Sequence, residues 1–362
     1  MTDWQETAKI VETLLRLAEA GRRAAVATVV RISGSAYRRP GAKFLVEEGG
    51  RTLGSVSGGC LEADVREVAL TAMQEGAPRL LHYDTGTDDN RLWGLGLGCN
   101  GSVDIFVQPA TSKAALEVAE RVRDLLTGQA AFAVSTIVEG SERARGALVL
   151  GGAGVLAGST GNAELDRDLA RLGADRLALG VSGLDPAGEG SVFTEVYLPP
   201  PDLLVCGAGD DAIPLVGYAA AAGFRVTVLD HRSAYLAPER FPAATHLLHA
   251  RPEDESSLAC LGPRSFAVVK THSLAQDREW VRRLLLTPVP YIGLLGPEKR
   301  KQQILDQIGS TGTGRVFGPV GLDLGAEGPD QVALSIVAEL LAVRSGREPR
   351  HLRDRSGAIH GT

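Results

Sequence analysis

The chain has 362 residues, of which 44% are hydrophobic and 23% charged, and a formal net charge of -6. That length admits two domains with substantial cores. The acidic balance, without a basic stripe interleaved with aromatics, argues against nucleic acid as a partner. No apolar run is long enough to cross a bilayer. The start, Met1-Thr2-Asp3-Trp4-Gln5-Glu6, lacks the basic flank and apolar run of a signal peptide, so a cytoplasmic protein with free thiols is expected.

An amphipathic helix is predicted near residues 4–20, with Ile10, Leu14, Leu17 and Ala18 on one face and Gly21 ending it. A β-branched strand follows over Ala24 to Ile32, then a polar loop over Ser33–Ala42 that carries Arg38 and Arg39. Lys43–Val46 and Thr52–Ser55 flank Glu48-Gly49-Gly50-Arg51 as a hairpin. A helix over Leu61–Gln74, a strand over Ser102–Gln108, a helix over Ala114–Leu126 and strands near Ala131–Val138 and Ala147–Leu150 come next. The stretch Gly151–Gly190 gives no clear order of elements. Val192–Leu198 reads as a strand, and Pro199-Pro200-Pro201 as a stiff linker. The domains expected are therefore 1–198, with the segment 128–198 less defined, and 202–345, with a flexible tail over 346–362.

Beyond the prolines the pattern becomes strand, helix, strand. Strands at Asp202–Cys206, Arg225–Leu229, His246–His249, Phe266–Val269 and Tyr291–Leu295, with a helix over Ile213–Ala222, predict a doubly wound Rossmann-like domain. Gly207-x-Gly209-x-x-Ala212 after the first strand, with Asp230 at the end of the second, fits the dinucleotide fingerprint. Asp210 and Asp211 place carboxylates where a pyrophosphate would sit, and capping the helix is a structural role open to them. His272, Gly293 and Gly296 follow later strands at their C-terminal ends, where open α/β sheets bind ligands. Lys299 and Arg300 suit either a phosphate or a solvated helix end.

Two glycine-rich cysteines stand out in the first domain. Ser57-Gly58-Gly59-Cys60-Leu61-Glu62 puts a thiol at a turn before a helix, with backbone N–H groups open to an anion. The second is Cys99, in Gly94-Leu95-Gly96-Leu97-Gly98-Cys99. Gly58, Gly59 and Gly98 supply close backbone approach, Ser57, Arg38 and Arg39 supply donors for phosphate oxygens, and Glu62 is read first as a helix cap. Cys206 and Cys260 read as core residues. His82, Asp84 and Asp88–Asp89 fit no metal-ligand spacing and read as a polar loop. No residue found here demands catalytic turnover of its own.

These segments, together with Arg31–Ala42, Tyr291–Gly296 and Gly321–Ala326, run in the order of the XdhC/CoxI family, and the chain resembles that family over nearly its whole length. The resemblance implies an N-terminal α+β XdhC/CoxI-type domain followed by a Rossmann domain. It implies an accessory factor that binds molybdenum cofactor, supports its sulfuration and delivers it to a xanthine-dehydrogenase or carbon-monoxide-dehydrogenase type hydroxylase. The partners implied are that apo-enzyme and a cysteine desulfurase, and the oligomeric state implied is a homodimer. Cys60 is then the residue that touches the metal or the transferred sulfur, and Cys99 assists. Two alternatives are an NAD(P)-dependent oxidoreductase that uses the Rossmann crevice and a module that bridges desulfurase and target.

Overall fold

The computed structural model describes residues 4–34, 37–84, 101–110, 112–140, 146–188, 190–259, 261–309 and 314–354. The chain divides into two compact units between Pro199 and Pro200.

The first unit opens with helix α1 (Trp4–Glu19), which buries Ile10, Val11, Leu14, Leu15 and Leu17 on one face. Strands β1 (Ala24–Gly34), β2 (Lys43–Glu47) and β3 (Thr52–Gly54) follow, then helix α2 (Glu62–Glu75) and strands β4 (Arg79–Asp84) and β5 (Gly101–Pro109). They form one antiparallel sheet in the order β3-β2-β1-β5-β4. Helix α3 (Lys113–Thr127), its N-terminus capped by Ser112, then leads to strands β6 (Phe132–Glu139), β7 (Ala147–Gly151) and β8 (Gly154–Gly158). Helix α4 (Ala163–Leu179) and strands β9 (Gly183–Ala187) and β10 (Gly190–Tyr197) complete a second sheet in the order β8-β7-β6-β10-β9. The stretch 151–190, which has no clear order in the sequence, is thus strand, helix and strand. His82 and Asp84 lie on β4 instead of in a loop, because β4 pairs along β5.

The two sheets are the same structure built twice. Each half runs helix, three-strand meander, helix, two strands. Thr28 pairs with Lys43 and Phe106 in the first sheet, as Thr136 pairs with Ala147 and Phe193 in the second. Leu80 lies opposite Phe106 as Leu184 lies opposite Phe193. Both long strand pairs shift register at the equivalent point, after Val29 in β1 and beside Val138 in β6. Helices α2 and α4 end on left-handed Gly76 and Gly180. The halves join like to like, since Val30, Phe106, Val138 and Phe193 share one cluster with Leu80 and Leu184 against it. This is the pattern of an isologous interface inside one chain.

The second unit is a six-stranded parallel sheet, ordered β13-β12-β11-β14-β15-β16. Its strands are β11 (Asp202–Cys206), β12 (Arg225–Asp230), β13 (His246–His249), β14 (Phe266–Val269), β15 (Tyr291–Leu294) and β16 (Val316–Phe317). Helices α5 (Ala212–Ala221) and α8 (Gly328–Ser345) cover one face, and α6 (Leu274–Leu284) and α7 (Glu298–Ile308) the other. The central strands are apolar on both faces, as parallel strands covered twice must be. Cys206 is fully buried between them, and burial pushes its thiol pKa well up, so it is the core residue expected. Cys260 falls outside the described residues. Among the described residues no helix is long and apolar enough to cross a membrane.

Gly54 and Gly158 close their meanders at equivalent points, with φ of +89° and +90°. A Cβ there would fall 2.3 Å from the Lys43 carbonyl oxygen and 2.0 Å from that of Ala147. Gly54→Ala and Gly158→Ala should each lower stability by about 1–3 kcal/mol, the cost of a strained left-handed residue plus the clash. Urea unfolding of the two variants checks this, and similar losses are expected because the two turns are alike.

Candidate functional site

Strand β3 ends at Gly54 and α2 starts at Glu62, and the turn between them is held by one carboxylate. Glu62 Oε1 accepts from Ser55 Oγ at 2.7 Å, Ser57 N at 2.9 Å and Val56 N at 3.1 Å. Its Oε2 accepts from Gly59 N at 2.8 Å and from Ser57 Oγ. Gly58 N donates to Ser55 Oγ at 3.0 Å and Leu61 N to Ser57 Oγ at 2.8 Å. The N–H groups expected to face a ligand therefore already hold an anion, and that anion is Glu62. Burial alone would raise the Glu62 pKa. Bonds from Ser57, Ser55 and the backbone outweigh it and hold the group at about 2.

The second half provides an internal control. Asp166, at the position equivalent to Glu62, accepts from Ser159 Oγ at 2.7 Å, Thr160 N at 2.8 Å and Thr160 Oγ1 at 2.6 Å. That turn lacks a thiol, because Glu164 stands where the first half has Cys60. The carboxylate latch is thus a folding device common to both halves, and Cys60 is what the first half adds to it. Cys60 is exposed and free.

The loop that carries Arg38 and Arg39 reaches the Cys60 turn through Tyr37. A Cβ on Gly58, whose φ is +83°, would lie 2.8 Å from the Tyr37 ring, so glycine is required there. Arg38 is paired with Glu6 of α1, whereas Arg39 is exposed with no ion pair among the described residues. Gly98 and Cys99 lie outside the described residues. The strand ends that bracket them do not. Asp84 pairs with Ser102, and Ser102 and Gly101 pair with Ser33 and Gly34 at the end of β1. The chain therefore leaves β4 and re-enters β5 at the sheet end from which the Arg38 loop also departs. Sequence reasoning missed one group there. Asp104, nearly buried, takes His82 Nδ1 at 2.5 Å and Arg31 Nε at 3.4 Å. The β1–β5 and β4–β5 pairings, hidden in the sequence, set Arg31 and His82 on either side of Asp104.

In the second unit, Gly207 has φ +117°, and a Cβ would fall 2.6 Å from the Lys270 carbonyl oxygen, so the turn needs glycine to pass β14. A Cβ on Gly209 would meet Asp211 Oδ1 at 2.7 Å. Asp230, 4% exposed, sits under this turn and accepts from Ala208 N at 2.8 Å and from Arg232 N, Nε and a terminal nitrogen at 2.8 to 2.9 Å. Burial opposes its charge, but these bonds hold its pKa at about 2. Asp210 and Asp211 do not cap α5. Asp210 pairs with Arg240 at 2.6 Å. Asp211 takes the buried Lys270 Nζ at 3.0 Å and His272 Nε2 at 3.1 Å. Burial lowers the Lys270 pKa, and Asp211 opposes that shift.

His272 itself sits at φ +60°, a strained backbone for a non-glycine residue. The loop around it is locked by Asp277, which accepts from Thr271 N at 3.0 Å and Thr271 Oγ1 at 2.6 Å and pairs with Arg300 at 2.5 Å. Arg300 is therefore occupied by this latch. Gly293 is buried in β15, where a Cβ would strike Val320 at 2.6 Å, and Gly296 lies beside Arg300.

Glu62→Gln should lower stability at pH 7 by about 1–2 kcal/mol, the range of charge-assisted hydrogen bonds discounted for a half-exposed site. The folded-state pKa lies below the ordinary carboxylate value, so the stabilisation is present above pH 4.5 and is lost as pH falls toward 2. Unfolding of wild type and variant across that window should show the gap closing. A gap that persists at pH 2 would mean that shape, not charge, holds the turn.

Residues 203–340 match the XdhC Rossmann domain and residues 17–84 match the XdhC and CoxI family. The chain is 35% identical to a probable xanthine dehydrogenase subunit of Bacillus subtilis over 328 residues, 91% of this chain and 95% of that one. It is 36% identical over 104 residues to the molybdenum cofactor insertion chaperone PaoD of Escherichia coli, which covers 28% of this chain and 32% of PaoD. A crystal structure of a xanthine dehydrogenase from Bacillus halodurans superposes with a TM-score of 0.75, at 29% identity, over 96% of this chain and 97% of that one. The two family matches, one in each unit, and the 35% identity with the Bacillus subtilis protein over 91% of this chain agree, and the chain belongs to the XdhC and CoxI family.

Proposed function

We propose that this protein is an accessory factor that carries molybdenum cofactor, as cargo, to a molybdenum hydroxylase of the xanthine-dehydrogenase type. The observation that carries the reading is Cys60, an exposed thiol on a turn that its own Glu62 holds rigid. A soft sulfur ligand suits molybdenum, and a thiol can also carry sulfur for exchange. The names of the relatives support the same role, since one is a cofactor insertion chaperone and another belongs by name to a xanthine dehydrogenase. Cys60 is the residue we assign to the metal or to the sulfur it receives, with Cys99 assisting and a cysteine desulfurase as the sulfur donor. A homodimer is the assembly this reading adopts.

The phosphate of the cargo has no seat in the Cys60 turn, because Glu62 fills it. Arg39, exposed on the neighbouring loop, is the donor that supports phosphate contact. In the second unit a pyrophosphate over the Gly207 turn would face Asp210 and Asp211, so NAD(P) is not part of this reading.

Protein purified from a molybdenum-replete host should release an oxidised, fluorescent pterin. Cys60→Ala should lower the amount retained by about tenfold or more and impair activation of the target apo-enzyme, with an unchanged melting temperature. Retention and activation both equal to wild type would remove Cys60 from the mechanism. Wild type that carries no pterin would remove the cargo reading altogether.

A further inference from the structure

The seam between the two halves of the first unit holds an open cleft of about 340 Å³. That is far above a packing defect and within the range of ligand pockets. Its walls are apolar, with Phe106 and Phe193 among them, and at one point a charged pair crosses the seam. Lys43 Nζ of the first half lies 2.5 Å from Glu195 Oε1 of the second, and both side chains are 9% exposed.

The duplication explains why there is room. The residue equivalent to Lys43 is Ala147, and the residue equivalent to Glu195 is Gln108. A symmetrical seam would hold two long side chains at two equivalent points. Here one of them is cut back to a methyl group, and Ala147 and Gln108 both line the space left.

Hydrogen-bonding capacity is left over around that space. Glu195 Oε1 takes Lys43 and, at 3.1 Å, the Tyr197 hydroxyl, while Oε2 takes no hydrogen bond among the described residues. Lys43 spends its other contact on Thr28 Oγ1 at a long 3.4 Å. The Gln108 amide is half-buried and has no hydrogen-bond partner among the described residues. Glu195 and Gln108 both line the cavity, so this capacity is open to a ligand whose donors and acceptors replace water there. The Lys43 and Glu195 charges cancel, so an anion gains nothing there. What fits is a neutral, flat ring with donors and acceptors side by side on one edge, clasped by Glu195 Oε2, Lys43 and Gln108 between apolar walls.

We infer that this cavity is a binding site for a fused 2-amino-4-oxopyrimidine ring, the edge shared by pterins and guanine. The amino and ring N–H groups would donate to the carboxylate, and the ring carbonyl would accept from the ammonium. Polar substituents would leave through the mouth, where Ser112, Ala114 and Ser159 are exposed. With a pterin as occupant the inference rests on the carrier reading above. With guanine it stands apart from it.

The full chain, titrated separately with pterin-6-carboxylate and with guanosine and followed by pterin fluorescence and by calorimetry, should bind at least one of them, with one site per chain. The first variant is Lys43→Met/Glu195→Gln, which removes both charges together and so leaves no unpaired buried ion. The second is Ala147→Leu, which fills the vacated space and leaves the charged pair alone. Each should weaken binding at least tenfold. Binding of neither probe to wild type, or binding unaltered in Ala147→Leu, would overturn the site. Should the double variant fail to fold, Ala147→Leu decides. Wild type that binds a probe here yet carries no pterin on purification would end the carrier reading and leave the cavity standing.

Discussion

Among the described residues, three strand-to-helix turns are closed by the same interaction. A carboxylate in the first turns of a helix reaches back and collects the hydroxyl and amide hydrogens of the loop before it. Glu62 does this ahead of α2, Asp166 ahead of α4 and Asp277 ahead of α6. The positive end of the helix dipole and the free N–H groups of a strand-to-helix turn form an anion site by their nature. In all three places the chain fills that site from within. The turns gain rigidity and give up any ability to hold a phosphate with the same groups. For the first turn the result is specific, because Cys60 is left exposed on a loop whose Val56, Ser57, Gly58, Gly59 and Leu61 amides are already engaged.

Duplication of the first unit separates what the fold needs from what function adds. Positions that match between the halves keep the structure: the glycines that end β3 and β8, the carboxylate latches, the left-handed helix ends and the phenylalanines at the seam. Positions that differ carry no such duty. Cys60 against Glu164, Lys43 against Ala147 and Gln108 against Glu195 are differences of this kind, and each changes the chemistry and not the topology. Two halves that join like to like can lose symmetry at a few points without losing the seam, since most of the buried contacts remain. The cavity and the thiol turn are both products of that freedom.

Much of this architecture was legible in the sequence. Amphipathic spacing in α1 and the apolar runs of β11 and β14 declare themselves through burial, and the Gly207 turn declares the parallel unit. Segment 151–190 was not legible. Strand β8 is short and largely exposed, and α4 buries only Leu169 and Gly173, so neither shows a strong hydrophobic period. The repeat is hidden in the sequence because the equivalent turns share geometry more than residues. Ser-Val-Ser-Gly-Gly-Cys and Ser-Thr-Gly-Asn-Ala-Glu look unrelated until their carboxylates are seen to do one job. For the site, the thiol and the arginines could be named from local composition. Which N–H groups were free could not, because that depends on where the Glu62 side chain turns.

The second unit shows how far a fold can keep its form after its usual ligand contacts are taken up. Gly207 still makes the tight turn, and its lost Cβ is required by the Lys270 backbone and not by any ligand. Asp230 still ends the second strand, but both of its oxygens serve Ala208 and Arg232. Asp211 and Lys270 neutralise each other where a pyrophosphate would need positive charge. The residues of the fingerprint serve the strand–turn–helix itself, so the fold is legible from them without a nucleotide being implied. His272 in the crevice is held at a left-handed backbone beside the Thr271–Asp277–Arg300 latch and tethered through its ring to Asp211. Strain held in place by a buried ion pair is costly to keep. It distinguishes His272 from the paired carboxylates around it, whose partners alone explain why they are there.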